Sequence, residues 1–447
     1  MNRRQFLASS IGATLGGMAS FSTLASQLQL GQALSAHRFS DYKALVCIFL
    51  YGGNDSFNLL IPTDASSYQD YATTRQTLAV PREQLITLNQ SDAMPLAMPD
   101  AATAIAGLFN SGRASFVTNI GPMVAPATKT ELLNNEALQP PQLFSHNDQQ
   151  ALWQNGVMDT GTTSGWGGRM ADLLMDTDAS LPLSFSLGGT NLFQSGRQAQ
   201  HYVMNTDGVE QFGGLDPQHQ WNNHRIEHYL RILHAADDTF SRAYAQKLLA
   251  VRENNALLSE ALADIPTTDV TYGTGENLAE QLQMIARVIQ AQSVLGQRRQ
   301  IFFASLGGFD THDDQINQLP RLQNILAEAM AGFDADLQGR GMADNVVTFT
   351  QSEFGRTLTS NGDGTDHGWA GHQVIMGTPI QGGRIQGDVP EQVINSQNDL
   401  GDGRIIPSTS IEQFGAQIAQ WFGLGQSEIA DVFPHYSRFD RAEFELF

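Results

Sequence analysis

The chain reads as an α/β protein, a three-layer α/β/α sandwich around a mostly parallel mixed sheet. Continuous apolar runs of strand length recur at 44–50, 300–306 and 346–350. Runs apolar on both faces mark strands buried between helix layers. Segments of helical period alternate with them, the pattern of stacked β and α layers. The chain's 447 residues, 41% of them hydrophobic, suffice for one large domain of this kind.

Residues 1–36 stand apart. Arg3 and Arg4 precede a mildly apolar, Gly- and Ser-containing run from Ala8 to Phe21, then small residues up to Ala36. This is the layout of a twin-arginine export signal. The run falls short of the about 20 apolar residues that a membrane-spanning helix needs. Cleavage after Ala25 or after Ala36 fits equally, and the twin-arginine translocation machinery is the implied partner. The expected destination is the periplasm or the outside of the cell, with residues 37–447 as the domain. A net charge of -21 excludes wrapping of a nucleic-acid backbone, which needs clustered Lys and Arg. Cys47, the sole cysteine, lies in an apolar run, which excludes an internal disulfide and argues against a thiol nucleophile.

The first strand, Ala44 to Leu50, ends at Tyr51-Gly52-Gly53-Asn54-Asp55. Two glycines let the backbone turn sharply there. Asp55 then either faces a site or caps the turn. A helix over Ser67 to Thr74, a strand at Leu85 to Leu88, a helix over Ala101 to Asn110 and a strand over Ala114 to Asn119 follow. The Pro-containing stretch Gly121 to Pro141 reads as a surface connection. Ser145 opens a helix that buries Leu152 and Trp153. It can cap that helix, or act as a nucleophile favoured by the helix dipole, with His146 beside it.

Gly165 to Met175 reads as a helix and Leu181 to Leu187 as a strand. The stretch of about 191–274 reads as a helical cap inserted into the domain, with helices over Trp221 to Ala235 and Asp238 to Ala261. Leu278, Leu282, Ile285, Val288 and Ile289 then keep helical spacing. The strand Gln300 to Leu306 runs out into Gly307-Gly308-Phe309-Asp310-Thr311-His312, and Pro320 to Leu337 makes an amphipathic helix. The strand at 345–350 leads to Ser352-Glu353-Phe354-Gly355-Arg356. Thr365-Asp366-His367-Gly368-Trp369 and His372 precede the apolar run Val374 to Met376, and Ile411 to Phe422 makes the last helix.

Carboxylates and imidazoles thus recur where apolar runs end, the edge at which open α/β sheets place their sites. Oxygen and imidazole donors without thiolates suit zinc, manganese or a similar divalent ion in an open rather than a closed structural site. Arg356 is suited to clamp an anion through its planar guanidinium, or else forms a surface salt bridge.

Tyr51-Gly52-Gly53-Asn54-Asp55, Ser145-His146, the 307–312 turn, the 352–356 turn and Thr365-Asp366-His367-Gly368-Trp369 together resemble the exported bacterial proteins of the domain of unknown function 1501 family. That family is similar, more remotely, to the alkaline phosphatase and sulfatase superfamily. The resemblance implies metals at the carboxyl ends of the strands and hydrolysis of a small phosphate or sulfate ester. It implies a metal aspartate at Asp55, a nucleophile at Ser145, and metal ligands at Asp310, His312 and Glu353, with Asp366, His367 or His372 completing the set. At position 354 the superfamily's histidine is replaced by Phe354. That departure favours the alternative, a non-catalytic exported binding or assembly protein. Substrate, metal identity and oligomeric state are left open.

Overall fold

A computed structural model describes residues 38–90, 94–175, 181–209, 220–273, 277–439 and 444–447, so the expected export signal lies outside the described residues. The main sheet has nine strands: β1 (Lys43–Leu50), β2 (Ala114–Gly121), β3 (Ser184–Ser186), β4 (His201–Val203), β5 (Arg299–Leu306), β6 (Val346–Ser352), β7 (Gly371–Met376), β8 (Ile385–Gln386) and β9 (Thr409–Ser410). Their spatial order is β8-β2-β7-β6-β1-β5-β3-β4, with β9 paired to β2. Every pairing is parallel except those of β7, which runs against β2 and β6. The mixed, mostly parallel sheet is as expected.

Eleven α-helices accompany it among the described residues: α1 (Ala65–Arg75), α2 (Thr103–Asn110), α3 (Lys129–Asn134), α4 (His146–Asn155), α5 (Trp166–Leu174), α6 (Asn223–His234), α7 (Thr239–Ala263), α8 (Asn277–Gln290), α9 (Gln315–Gly339), α10 (Ile411–Phe422) and α11 (Gln426–Val432). Strand side chains alternate between faces, so β1 divides into two sets. Val46, Ile48 and Leu50 join the core under α2, α7, α8 and α9. Leu45, Cys47 and Phe49 join the core under α4, α5, α10 and α11. That double burial is why the β1 run is continuously apolar. No helix among the described residues is long and apolar enough to cross a membrane.

Three boundaries differ from expectation for physical reasons. The connection 121–141 contains α3, started by a capping box in which Thr128 and Glu131 satisfy each other's backbone N–H. α9 begins at Gln315 rather than Pro320, because the Gln315 side chain is held by Asp55, Thr311 and Thr365. The stretch 191–274 supplies an edge strand, β4, before its two helices.

Register fixes the site. Leu50 of β1 lies level with Leu306 of β5 and with Ser352 of β6, so the three strands finish together and their following turns sit side by side. The antiparallel β7 starts at that same edge, and the hairpin Arg356–Ser360/Thr365–His367 packs there.

Candidate metal centre

Gly52 follows β1 with φ +118°, and a Cβ there would lie 2.2 Å from the Asp310 backbone nitrogen. Only a glycine allows the β1 and β5 turns to interleave this closely. Next to it, a Cβ on Gly53 would lie 2.3 Å from the Phe354 ring. The glycines read in the sequence as hinges therefore also serve as clearances.

Onto this edge the fold brings His146, Asp310, His312 and His367. One ligand atom each of His146, Asp310 and His367 lies within 4.8 Å of the others. His312 adjoins two of these, its Nε2 being 3.0 Å from Asp310 Oδ1 and 2.9 Å from His367 Nε2. Each imidazole is anchored through Nδ1. His146 Nδ1–H donates to Glu353 Oε1 at 3.0 Å, His312 Nδ1–H to Asp366 Oδ1 at 3.2 Å, and His367 Nδ1–H to the Phe144 carbonyl at 2.7 Å. With the protons held there, three Nε2 lone pairs turn toward Asp310, the tautomer and orientation that outer carboxylates and carbonyls impose on metal-bound histidines.

Asp310 is held from behind. Arg356 Nη1 donates to its Oδ1 at 2.8 Å. Partial burial opposes the charge on Asp310, but the Arg356 bond and charge, with His312 and His146, keep its carboxyl below the ordinary value. The Glu353 hydrogen bond raises His146 above the usual imidazole value, whereas burial lowers His367 despite its bond to Phe144. Phe354 forms the floor, with its ring stacked on His367 at 4.4 Å and tilted against His146 at 4.9 Å.

The donor set fits a divalent cation. Two neutral imidazoles facing each other through lone pairs at 2.9 Å repel unless a proton or metal lies between them. The oxygen-to-nitrogen separations around Asp310 run from 3.0 to 3.4 Å, close to the about 3.3 Å between ligands of a tetrahedral zinc with bonds of about 2.0 Å. Side-chain exposures of 21 to 45% leave one face of the cluster open, as in catalytic rather than structural sites.

The other expected ligands are placed differently. Glu353 is fully buried and its Oε1 is taken by the Gly52 N–H, Gln150 and His146, so it orients His146. Asp366 does the same for His312. Asp55 is buried in an ion pair with Arg75 and accepts from Gln315 at 2.6 Å; a guanidinium stands where a cation was expected beside it. His372 is not in the cluster. It is buried in β7 against Phe57, its Nδ1 accepts the Asn119 N–H at 3.1 Å, and burial lowers its pKa to about 4.

Arg356 is neither an anion clamp nor a surface residue. Its buried guanidinium bonds Asp310, the Gly52 carbonyl and Thr365, so it positions Asp310. Ser145 sits at the α4 N-cap without capping it; its Oγ donates to Asp148 Oδ2 at 2.7 Å. His146, expected beside a nucleophile, is itself one of the converging imidazoles. Of the residues that sequence reasoning missed, Gln150 had a signal, lying four positions after His146 on the same helical face. Arg75 and the Phe144 carbonyl had none.

A family model described as a protein of unknown function, DUF1501, matches residues 42–426. The chain belongs to this family. No curated protein matches it. Among solved structures, this DUF1501 chain is similar to the C-terminal periplasmic domain of EptC from Escherichia coli (10% identity, 92% of this chain and 89% of that one, TM-score 0.36). It is also similar to the lipoteichoic acid synthase LtaP from Listeria monocytogenes (8%, 91% and 81%, 0.35). A third is a sulfatase from Pseudoalteromonas sp. (10%, 92% and 73%, 0.33). Likeness of this order carries no argument about the activity of the DUF1501 chain.

Proposed function

We propose that this protein is an exported metal-dependent hydrolase of phosphate or sulfate esters, with a divalent ion held by His146, Asp310, His312 and His367. The observation that carries the reading is the convergence of three Nδ1-anchored imidazoles on one carboxylate at an open strand edge. A divalent ion there would supply Lewis-acid polarisation of an anionic ester oxygen. Glu353, Asp366 and the Phe144 carbonyl hold the Nδ1 protons and keep the imidazoles aimed. Arg356 holds Asp310 ionised and fixed, and Phe354 shields the inner side of His146 and His367 from water. Ser145, one residue before His146, is the proposed nucleophile, and Asp148, bonded to its hydroxyl, accepts the proton. The paired Arg3 and Arg4 support export through the twin-arginine machinery to the periplasm or beyond.

The test is elemental analysis of the purified protein followed by assays on aryl phosphates and sulfates. One equivalent of zinc, manganese or a similar ion is expected, with turnover abolished by Asp310→Asn. Absence of stoichiometric metal, together with no turnover after zinc or manganese is added, would sink the reading. The Asp55–Arg75 pair favours a second reading, an exported binding or assembly protein, because it removes one expected ligand from the site. Metal without turnover of any ester, together with unchanged metal content in Ser145→Ala, would favour that alternative.

A further inference from the structure

Asp310 is reached from the protein interior by an unbroken run of hydrogen bonds that starts at the Asp55–Arg75 pair. Asp55 lies in the turn after β1, Arg75 ends α1 and Gln315 opens α9, while Arg356 and Thr365 come from the two strands of the 356–367 hairpin. All of these side chains are buried. Asp55 Oδ2 accepts from Arg75 and, at 2.6 Å, from Gln315 Nε2. Gln315 Oε1 in turn accepts the Thr365 hydroxyl at 2.6 Å and the Thr311 hydroxyl at 3.0 Å. Thr365 Oγ1 accepts Arg356 Nε at 3.2 Å, and Arg356 Nη1 donates to Asp310 Oδ1 at 2.8 Å.

The run has one direction. A carboxylate paired with a guanidinium only accepts, so the Gln315 amide turns its NH2 toward Asp55 and its oxygen toward the threonines. The Thr365 proton is thereby committed to Gln315, which leaves a hydroxyl lone pair for Arg356. Arg356 Nε is taken by Thr365 Oγ1, Nη2 by the Thr365 carbonyl, and Nη1 is shared between the Gly52 carbonyl and Asp310. The planar guanidinium is thus fixed in one orientation. Thr311, between Asp310 and His312 in the chain, ties a second branch to the same amide. Buried ion pairs are often replaceable by apolar residues without loss of stability, so stability alone does not account for Asp55–Arg75.

We propose, resting on the metal-dependent reading of the site, that Asp55, Gln315 and Thr365 are positioning residues of the centre, forming a directional relay that orients Arg356 and through it the Asp310 carboxylate. Asp55 then serves the ion without touching it. Losing an outer partner of this kind lowers metal affinity by about 10- to 100-fold.

Zinc affinity by competition titration, and the visible spectrum of the cobalt(II)-loaded protein, which reports ligand geometry, test the relay. Thr365→Val keeps the side-chain shape but removes the hydroxyl, and should weaken zinc about ten-fold and shift the cobalt bands. Thr365→Ser keeps the hydroxyl and should match the wild type. Gln315→Met should act as Thr365→Val does, and the double variant should fall no further than either alone, because both break one series of bonds. Asp55→Ala strands the buried Arg75 charge and confounds folding with binding. Asp55→Leu with Arg75→Met removes the pair together, and should weaken zinc and shift the cobalt bands in the same sense. Melting temperatures of the metal-free variants separate packing from positioning. Unchanged zinc affinity and an unchanged cobalt spectrum in Thr365→Val, whatever its melting temperature, overturn the relay and leave the metal-dependent reading intact. Additive losses in Thr365→Val/Gln315→Met overturn it too, as does wild-type binding in the Asp55→Leu/Arg75→Met variant. A wild-type protein that binds neither zinc nor cobalt sinks both readings.

Discussion

At the scale of single residues, the centre depends on groups that never touch its middle. Glu353 reaches the cluster only through His146, so Glu353→Gln keeps the volume but weakens the hold on the Nδ1 proton. Metal affinity should fall about 10- to 100-fold, the usual effect of losing an outer partner, while the helix content in circular dichroism stays the same. Protons compete for the same lone pairs, so zinc binding by competition titration should weaken steadily as pH falls from 8 to 6. A flat profile would mean that the imidazoles are not ligands.

Away from the centre, Glu412 is buried at the start of α10 with neither carboxylate oxygen partnered in the structure, and burial pushes its pKa up to about 8. The folded state thus holds a proton that the unfolded chain releases at ordinary carboxyl pH. Stability is favoured at low pH and lost as pH rises from about 4.5 toward 8, by up to about 5 kcal/mol across that window. Denaturant melts of Glu412→Gln at pH 5 and pH 8 should show this slope removed. His372 acts in the opposite sense. Its lowered pKa contributes stability above about pH 6.5 that is lost as pH falls toward 4.

At the scale of elements, Phe354 decides how rigidly α4 and the 365–367 strand present their histidines. Phe354→Ala should cost about 3 to 5 kcal/mol of stability, as buried Phe truncations do, and should also weaken metal binding, because His146 and His367 lose a shared wall. Thermal melts and metal titration of the same variant check both halves. Equal affinity in the variant would make Phe354 ordinary core.

The strands and most helices were legible because double burial leaves continuous apolar runs and single burial leaves a period. α10 was legible to the residue, since Ser410 and Gln413 form a capping box. α3 carried the same kind of signal in Thr128 and Glu131, hidden by the prolines around it. The site was legible as a set of strand-end turns, because Gly52-Gly53 and Gly307-Gly308 announce sharp exits from the sheet. Its internal roles were not. Whether Glu353 binds an ion or a histidine, and whether Asp55 faces an ion or Arg75, depends on contacts between residues up to 301 positions apart in the chain. Periodicity carries no trace of such pairings.

At the scale of the whole molecule, the centre joins turns after β1, β5 and β6 with the start of α4 and the strand before β7. On the proposed reading, metal would therefore bind the folded chain far better than the unfolded one. Removal by chelator should lower the melting temperature by several degrees, since about 3 kcal/mol of linkage is gained at ligand concentrations near 100 times the Kd. Asp310→Asn should melt at the same temperature with or without the chelator.

The three Nδ1 anchors come from positions 144, 353 and 366, so no fragment of a growing chain can hold the imidazoles in place until nearly all of it has been made. On the proposed reading, the ion would thus be selected in whichever compartment folding finishes, by what is abundant there rather than by what is abundant where an exported protein would later work. Comparing the metal content of the same chain folded with and without residues 1–36 would turn the geometry of three hydrogen bonds into a record of where the protein matured.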